Sequence, residues 1–436
     1  MAERLKCASD EVMIKDMKFI IVGGRELSGS ITVGGSKNTA LKLIAATLII
    51  NGTTTLLNVP KITDIVRMLE ILGSLGAKAR WSGHKLVIST SDANQQILPV
   101  RISQKLRGSV VFIGPLLARF GKAFLPFPGG CAIGERPLTA HLQLFRECGV
   151  RIREVGRGDS KKYSFTIAGQ LKTRVRLNER SVTATENAIL LGVGLNRKLN
   201  IANAAAEPEI DDLIDFLCRA GANIKRLSPA DIAISSHDKL EGLTYSIKGD
   251  RIEAGTWLAA GALLGKKLVV KGFDPAYLKA PLLFLKKMGA EFSIGRNFIT
   301  ISRALKLRAR NLTTAVYPGF PTDLQSPFGL LLTRATGTAT VKETLFDNRL
   351  RYLQELENMG AAVRLNSPHV ALITGPSPLH GTRIDSLDLR AGATMILAGL
   401  IARGQTTVNN AEIIDRGYEN VNQKLKKVGA DIKRID

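Results

Sequence analysis

The sequence predicts an α/β protein of inside-out α/β barrel architecture: six β-α-β-α-β-β repeats in two pseudo-symmetric domains, with buried helices and outer sheets. Three observations predict it. A helix end running into Gly-Ala or Gly-Val and then a strand occurs six times, at Gly76, Gly149, Gly221, Gly289, Gly360 and Gly429. The glycines are spaced by 73, 72, 68, 71 and 69 residues, a regular period that marks a repeated structural unit. Upstream of each copy lies a second helix with little or no polar face, residues 253–264 being the extreme case, and a helix apolar all round is a buried one. Finally, the sixth copy ends without its last strand, while the chain begins with a strand pair, residues 18–33, that can complete it.

Each element has a local reason. The repeat glycine supplies the left-handed backbone that ends a helix, and the helix before it carries apolar residues three and four apart, as in Ile65, Leu69, Leu72 and Leu75. The apolar helices are expected at 39–50, 109–119, 185–195, 253–264, 324–334 and 391–402. Gly-containing turns and β-rich stretches follow them, for instance at 52–59, 198–202, 267–272, 337–341 and 404–408. The last strand of the unit is expected at 85–89, 163–167, 231–235, 297–302 and 369–374. Residues 37–248 then form one three-repeat domain and 19–36 plus 249–436 the other, with 1–18 a short N-terminal extension.

Composition narrows the function classes. With 45% hydrophobic and 23% charged residues in 436, the chain buries a sizeable core and is not a disordered or low-complexity protein. The net charge of +23 points toward anionic partners. Residues 37–248 carry 30 basic and 17 acidic side chains, so the excess is shared with the rest of the chain, and no run exceeds two consecutive Lys or Arg. That distribution describes a solvated basic surface better than a nucleic-acid arm or a membrane anchor. Only 5% of residues are aromatic and none form an RNA-stacking string, so an RNA-binding protein on a repeat scaffold is a remote alternative. Cys7, Cys131, Cys148 and Cys218 are scattered, as expected of free thiols in a reducing cytoplasm, and Cys148 and Cys218 read as buried helix-end residues. The first 18 residues lack the apolar core of a secretory signal, and no apolar stretch reaches the length of a membrane span. A cytoplasmic protein with no membrane or nucleic-acid partner is the expectation.

Three stretches break the repeat without serving packing. Gly34-Gly35-Ser36-Lys37-Asn38 precedes a helix, where small residues, a lysine and a helix N-terminus together suit an anion, although Gly-rich turns before helices are common. Residues 126–137 gather three glycines and three prolines around Cys131, with Arg136 five residues on, a loop in which a thiol of lowered pKa could act as acid or nucleophile. Phe320-Pro321-Thr322-Asp323 opens a repeat helix, where Asp323 satisfies the helix dipole and becomes a candidate base only in the company of other site residues. Arg107, Arg251, Arg349, Arg390 and Arg416 stand near similar crossings and helix starts.

These stretches carry a resemblance. Gly35-Ser36-Lys37-Asn38, Pro128-Gly129-Gly130-Cys131-Ala132-Ile133-Gly134 with Arg136-Pro137, Glu207-Pro208-Glu209, Asp250-Arg251-Ile252-Glu253, Phe320-Pro321-Thr322-Asp323, Asn348-Arg349, Asp388-Leu389-Arg390 and Asp415-Arg416-Gly417 occur in that order. The chain resembles the enolpyruvyl transferases over residues 19–435, and among them the branch that acts on UDP-N-acetylglucosamine in peptidoglycan synthesis. The resemblance implies transfer of the enolpyruvyl group of phosphoenolpyruvate to a sugar 3-hydroxyl with release of phosphate, without metal or other cofactor. It implies that Lys37, Arg136 and Arg416 bind the phosphate, with Arg107, Arg349 and Arg390 completing the positive cluster around phosphoenolpyruvate. Asp323 corresponds to the residue that accepts the hydroxyl proton, and Cys131 to the loop cysteine of the acid step, which fosfomycin alkylates. Lys37 and Arg416 are counted with these two among the catalytic residues. For the UDP-sugar, the resemblance implies Asn38, Arg107, Arg136, Pro137, Ser181, Val182, Asp323 and Leu345, supported by Arg251, Asp388 and Glu207.

Departures from the family pattern collect on the acceptor side. The chain reads Arg136-Pro137-Leu138-Thr139-Ala140-His141 where an Asp is usual, Ser181-Val182-Thr183 where a Gly commonly follows, and Ala206 where a basic residue precedes Glu207. A threonine for that glycine adds bulk where a ligand and backbone approach closely. A second reading therefore stands beside the first: enolpyruvyl transfer to another nucleotide or sugar, such as UMP, in a specialised-metabolite pathway.

Overall fold

The structure, a computed structural model, describes residues 17–127, 137–158 and 161–436. It divides into two compact units, one formed by described residues 35–127 and 137–248 and the other by 17–34 and 249–436. All six repeat glycines have positive φ, from 89° at Gly149 to 114° at Gly221, as helix ends of this kind require.

In the 35–248 unit, the helices expected to be buried lie at Lys37–Ala46, Ile113–Phe120 and Val182–Gly194. The first begins two residues earlier than its periodicity suggests because the Ser36 hydroxyl accepts from Thr39 N and caps it. The second is shorter than expected: residues 107–112 form a 3-10 turn and the α-helix follows, with Pro115 in its first turn, where a missing N–H costs nothing. Ile113–Phe120 and Val182–Gly194 pack on each other, and Lys37–Ala46 packs on the outer helices Thr63–Ser74 and Pro208–Arg219. Three sheets belong to this unit. Their strand orders are Thr244–Ser246, Thr53–Leu57, Lys85–Ser89, Lys78–Ser82; then Lys122–Pro126, Lys162–Ile167, Val150–Val155; and Asn223–Ser228, Asp231–Ser235, Leu199–Ala202, Arg174–Arg176.

The second unit repeats the plan. Its inner helices, Arg251–Leu264, Gln325–Leu332 and Leu389–Ile401, all touch one another, and every residue of Arg251–Leu264 is buried. Its sheets run Phe292–Ile294, Phe298–Ile301, Gly265–Lys271, Leu27–Thr32; then Leu312–Thr313, Gly337–Lys342, Val370–Gly375, Ala362–Ser367; and Arg383–Asp385, Gln405–Asn409, Lys18–Val22, Asp431–Ile435.

One expectation needs correction. The two strands within residues 18–33 do not jointly complete the sixth repeat. Lys18–Val22 does so, inserted antiparallel between Gln405–Asn409 and Asp431–Ile435. Leu27–Thr32 leaves for another sheet and pairs in parallel with Gly265–Lys271. The connection does not close a hairpin because its amides bond elsewhere, Gly23 N to Gly404 O and Gly24 N to Leu400 O. The corresponding strand of the fourth repeat, Thr244–Ser246, likewise pairs with Thr53–Leu57 of the first. Repeats one and four have thus exchanged their opening strands.

The core of the 35–248 unit contains a charged pair. Lys42 Nζ lies 3.2 Å from Glu186 Oε2, both side chains are almost wholly buried, and neither carboxylate oxygen has a well-directed hydrogen bond. Burial pushes the Glu186 carboxyl up to about 7, and Lys42 only partly opposes this. The folded state therefore holds this proton more tightly than the unfolded chain. Its contribution to stability falls as pH rises from the ordinary carboxylate value of 4.5 to about 7 and is level above. Lys42→Met alone is expected to destabilise the protein at pH 8 by about 3 kcal/mol, whereas Lys42→Met with Glu186→Leu returns stability to within about 1 kcal/mol of the parent. Urea unfolding at pH 5 and pH 8 checks both, and the double variant should also lose this segment of pH dependence.

Candidate active site

The 17–34 and 249–436 unit assembles its charged cluster from helix starts. Asp388 caps Leu389–Ile401, its Oδ1 accepting from Arg390 N at 2.7 Å and Ala391 N at 3.0 Å, and this sets Arg390 in the first turn. Asp323 lies in the 3-10 turn Thr322–Leu324 that opens Gln325–Leu332. Arg349 follows the strand Gly337–Lys342. Arg349 Nη2 donates to Asp323 Oδ1, while Arg390 Nε and Nη2 donate to Oδ2 at 3.2 and 3.1 Å. Asp323, Arg349 and Arg390, candidates separated by up to 67 residues, are thus brought into one ion-paired group. Both arginine side chains are buried, and Arg349 Nε and Arg390 Nη1 have no acceptor among the described residues.

Aromatic rings and carboxylates brace the group. The Arg390 guanidinium lies 5.3 Å from the Tyr418 ring centroid, and the Tyr418 hydroxyl is 2.8 Å from Thr256 Oγ1. Burial alone would loosen the Arg390 proton, but Tyr418, Asp323 and Asp250 outweigh it and hold the guanidinium charged. Arg251 is buried over the Tyr317 ring at 5.6 Å, on a helix capped by Asp250. Glu343, which the sequence did not single out, is buried and accepts from Thr322 Oγ1 and Leu345 N, both at 2.9 Å. It thereby ties the Asp323 turn to Leu345, whose side chain is exposed. Arg416 ends the 3-10 segment Ala411–Arg416 and is half-buried.

The 35–248 unit holds the other candidates. Lys37, in the first turn of its helix, is ion-paired to the buried Asp64 at 2.7 Å, and Asn38 beside it is half-buried. Two residues on, Thr39 Oγ1 donates to Asp212 Oδ2 at 3.0 Å, and Lys248 Nζ lies 2.6 Å from Asp212 Oδ1. Burial pushes the Asp212 carboxyl up, opposed by Lys248 and Thr39. Asp212 belongs to the helix that begins after Glu207, so that helix is tied to the Lys37 helix through a buried carboxylate. Arg107 Nη2 donates to Pro137 O at 3.0 Å, bringing two acceptor-side candidates together. Ser181 caps Val182–Gly194 by accepting from Ala184 N. Cys131 and Arg136 lie outside the described residues.

The departure Thr183 meets His141 in one network. Gly114 N donates to Asn187 Oδ1 at 2.7 Å, so the Asn187 amide nitrogen is the donor that reaches Val110 O at 3.0 Å and His141 Nδ1 at 3.3 Å. A neutral His141 then carries its proton on Nε2 and donates to Thr183 Oγ1 at 3.0 Å. The threonine is therefore hydrogen-bonded to the adjoining helix through its own hydroxyl. Of the other cysteines, Cys148 is buried as expected, and burial pushes its thiol up to about 12. Cys218 is exposed, contrary to expectation: it is offset by one residue from the buried Phe216-Leu217 face of its helix. Among the described residues no three His, Cys, Asp or Glu side chains gather as a metal-holding group.

Comparison with solved structures gives this arrangement a class. The chain is similar to the enolpyruvyl transferase NikO from Streptomyces tendae, with a TM-score of 0.86 and 25% identity over 96% of this chain and 99% of that one. It shares its fold with EPSP synthase from Acinetobacter baumannii, at a TM-score of 0.74 and 19% identity over 96% and 100% of the two chains. The class is that of the enolpyruvyl transferases. The profile of the EPSP synthase (3-phosphoshikimate 1-carboxyvinyltransferase) family matches residues 21–425, and the chain belongs to that family. Among curated relatives, the UDP-N-acetylglucosamine 1-carboxyvinyltransferase of Pelagibacter ubique is 38% identical over 96% of this chain and 100% of its own length. The protein of that name from Idiomarina loihiensis is 40% identical over 96% and 99%, and the one designated 1 from Carboxydothermus hydrogenoformans is 39% identical over 96% and 98%.

Asn187→Ala strands a buried amide, a carbonyl and an imidazole nitrogen together. It is expected to cost at least about 2 kcal/mol in urea unfolding. Thr183→Gly removes one partner of His141 and should cost less, and the reverse order would contradict the network.

Proposed function

We propose that this protein transfers the enolpyruvyl group of phosphoenolpyruvate to the 3-hydroxyl of UDP-N-acetylglucosamine and releases inorganic phosphate, the first committed step of peptidoglycan synthesis. The observation that carries the reading is the carboxylate of Asp323 held by two buried arginines, in a chain similar along nearly its whole length to enzymes of that name. The substrate brings a phosphate and a carboxylate, and fixed guanidinium groups are the side chains suited to both.

Chemically, a proton goes to the methylene carbon of phosphoenolpyruvate while the acceptor hydroxyl loses its own and attacks the adjacent carbon. A tetrahedral ketal phosphate forms. Loss of a proton from the new methyl group with departure of phosphate restores the vinyl group. Asp323 is the base for the hydroxyl, and Cys131 serves the acid step and is the site at which fosfomycin would alkylate. Lys37, Arg136 and Arg416 take the phosphate, and Arg107, Arg349 and Arg390 neutralise the remaining charge. Asn38, Pro137, Ser181, Val182 and Leu345 hold the UDP-sugar, with Arg251, Asp388 and Glu207 in support. Asp388 suits that supporting part because it fixes the backbone of Arg390. The site of action is the cytoplasm, a reading consistent with the absence, among the described residues, of any helix long and apolar enough to cross a membrane.

A second reading, transfer to a different acceptor such as UMP, is favoured by Thr183, which replaces a usual glycine in the first turn of the helix that Ser181 caps and bonds to His141 there. Phosphate release from phosphoenolpyruvate with UDP-N-acetylglucosamine, UMP or shikimate 3-phosphate separates the readings. Release with the UDP-sugar is expected, and turnover with UMP alone would replace the first reading by the second. Cys131→Ser should resist inactivation by fosfomycin, and inactivation at the parent rate would remove Cys131 from its assigned place. Asp323→Ala should lower kcat by about a hundredfold or more while leaving the affinity for UDP-N-acetylglucosamine within a few-fold, as loss of a base requires.

A further inference from the structure

The way Asp323 is held differs from the way two arginines would hold a substrate. Arg390 aims both Nε and Nη2 at a single oxygen, Asp323 Oδ2, at 3.2 and 3.1 Å, so its two-pronged edge is spent on one atom. A carboxylate or phosphate meeting that edge with two oxygens forms two parallel bonds, the stronger arrangement. Oδ2 in turn has both lone pairs engaged, leaving none for a hydroxyl proton. Two further donors of the arginines, Arg349 Nε and Arg390 Nη1, are sealed from solvent and have no well-directed acceptor among the described residues. Of the three side chains, Asp323 is the one with real access to solvent, 29% against 4% for each arginine. An anion arriving from solvent therefore meets the carboxylate before it meets the guanidinium groups.

We propose that Asp323 is a resident counter-ion of Arg349 and Arg390 that an anionic group of phosphoenolpyruvate displaces, and that the displacement frees Oδ2 to take the acceptor proton. Substrate binding and arming of the base are then one event. Without the substrate, the carboxylate fills the place of the anion, neutralises two buried cations and has Oδ2 committed to Arg390. With the substrate, Arg390 exchanges a one-oxygen partner for a two-oxygen partner. This rests on the proposed enolpyruvyl transfer and adds to it that Asp323 opposes phosphoenolpyruvate binding, whereas a base with no other part would leave that affinity untouched.

The test is calorimetric titration of the full-length protein with phosphoenolpyruvate alone, for the parent, Asp323→Asn, Asp323→Ala and Asp323→Glu. Removing the competing charge should tighten binding by about tenfold in the Asn and Ala variants, while the Glu variant, which keeps the charge, stays near the parent. Acetate should compete with phosphoenolpyruvate in the Ala variant, where the vacated arginines are open to a small carboxylate, and much less in the parent. Equal or weaker binding by both neutral variants, with thermal melts showing them folded, would overturn the displacement. Turnover of the parent with UDP-N-acetylglucosamine keeps the two levels apart. If the parent turns over and the neutral variants bind no tighter, the displacement alone is wrong, and if the parent does not turn over, the proposed function falls and takes the displacement with it.

Discussion

Helices that meet no water dictate most of what this protein is. A helix such as Arg251–Leu264, buried along its full length, can present almost nothing polar on its sides, so its charged residues must be paired or must stand at its ends. Glu253 illustrates the first case: its carboxylate accepts from Trp257 Nε1 and Gly34 N and is ion-paired with Lys424. Arg390 and Lys37 illustrate the second, each in the first turn of an inner helix with a carboxylate opposite. Helix starts are where the backbone exposes unpaired N–H groups and a positive potential, so burial of the shafts concentrates anion-binding capacity at the same ends. The Asp323, Arg349 and Arg390 group and the Lys37–Asp64 pair both stand at such ends.

How far the sequence revealed this depended on whether a feature leaves a periodic trace. The repeat glycines and the all-round apolarity of the inner helices do, and both the repeat and the burial of those helices can be read directly from residue order. The ion pairs do not. Nothing in the spacing of Lys37 and Asp64, or of Asp323, Arg349 and Arg390, announces that they touch, because the contacts are made by tertiary packing across tens of residues. Glu343 was missed for the same reason: a single buried glutamate carries no pattern. Cys218 was misjudged because helical spacing assigns a face only to within about one residue, enough to separate it from Leu217. The exchange of opening strands between repeats one and four was invisible because parallel pairing partners are fixed by where the chain crosses and not by the composition of the strands.

The net charge of +23 divides by depth rather than by segment. The buried cations have defined partners: Lys42 with Glu186, Arg349 and Arg390 with Asp323, and Arg251 against Tyr317. A buried cation is tolerated only with such company, and loss of the partner costs more than the pair contributes. Cations on the sheets' outer strands, such as Arg151 and Arg153, are exposed and mostly screened by water and salt, so they govern solubility and association rates more than the fold.

The exchanged strands also set a timetable for synthesis. As the chain leaves the ribosome, Leu27–Thr32 emerges early, yet its partner Gly265–Lys271 follows more than two hundred residues later. Lys18–Val22 waits longer still, until Asp431–Ile435 at the other end of the chain. The 35–248 unit has no such wait, because its last pairing, Thr244–Ser246 on Thr53–Leu57, is available as soon as its own sequence is complete. This unit can therefore fold while the remainder is still being made, and the N-terminal strands stay unpaired throughout that interval. Two short segments carrying Phe19, Ile21, Leu27 and Ile31, all destined for the core, keep their apolar side chains and strand edges without native partners for that time.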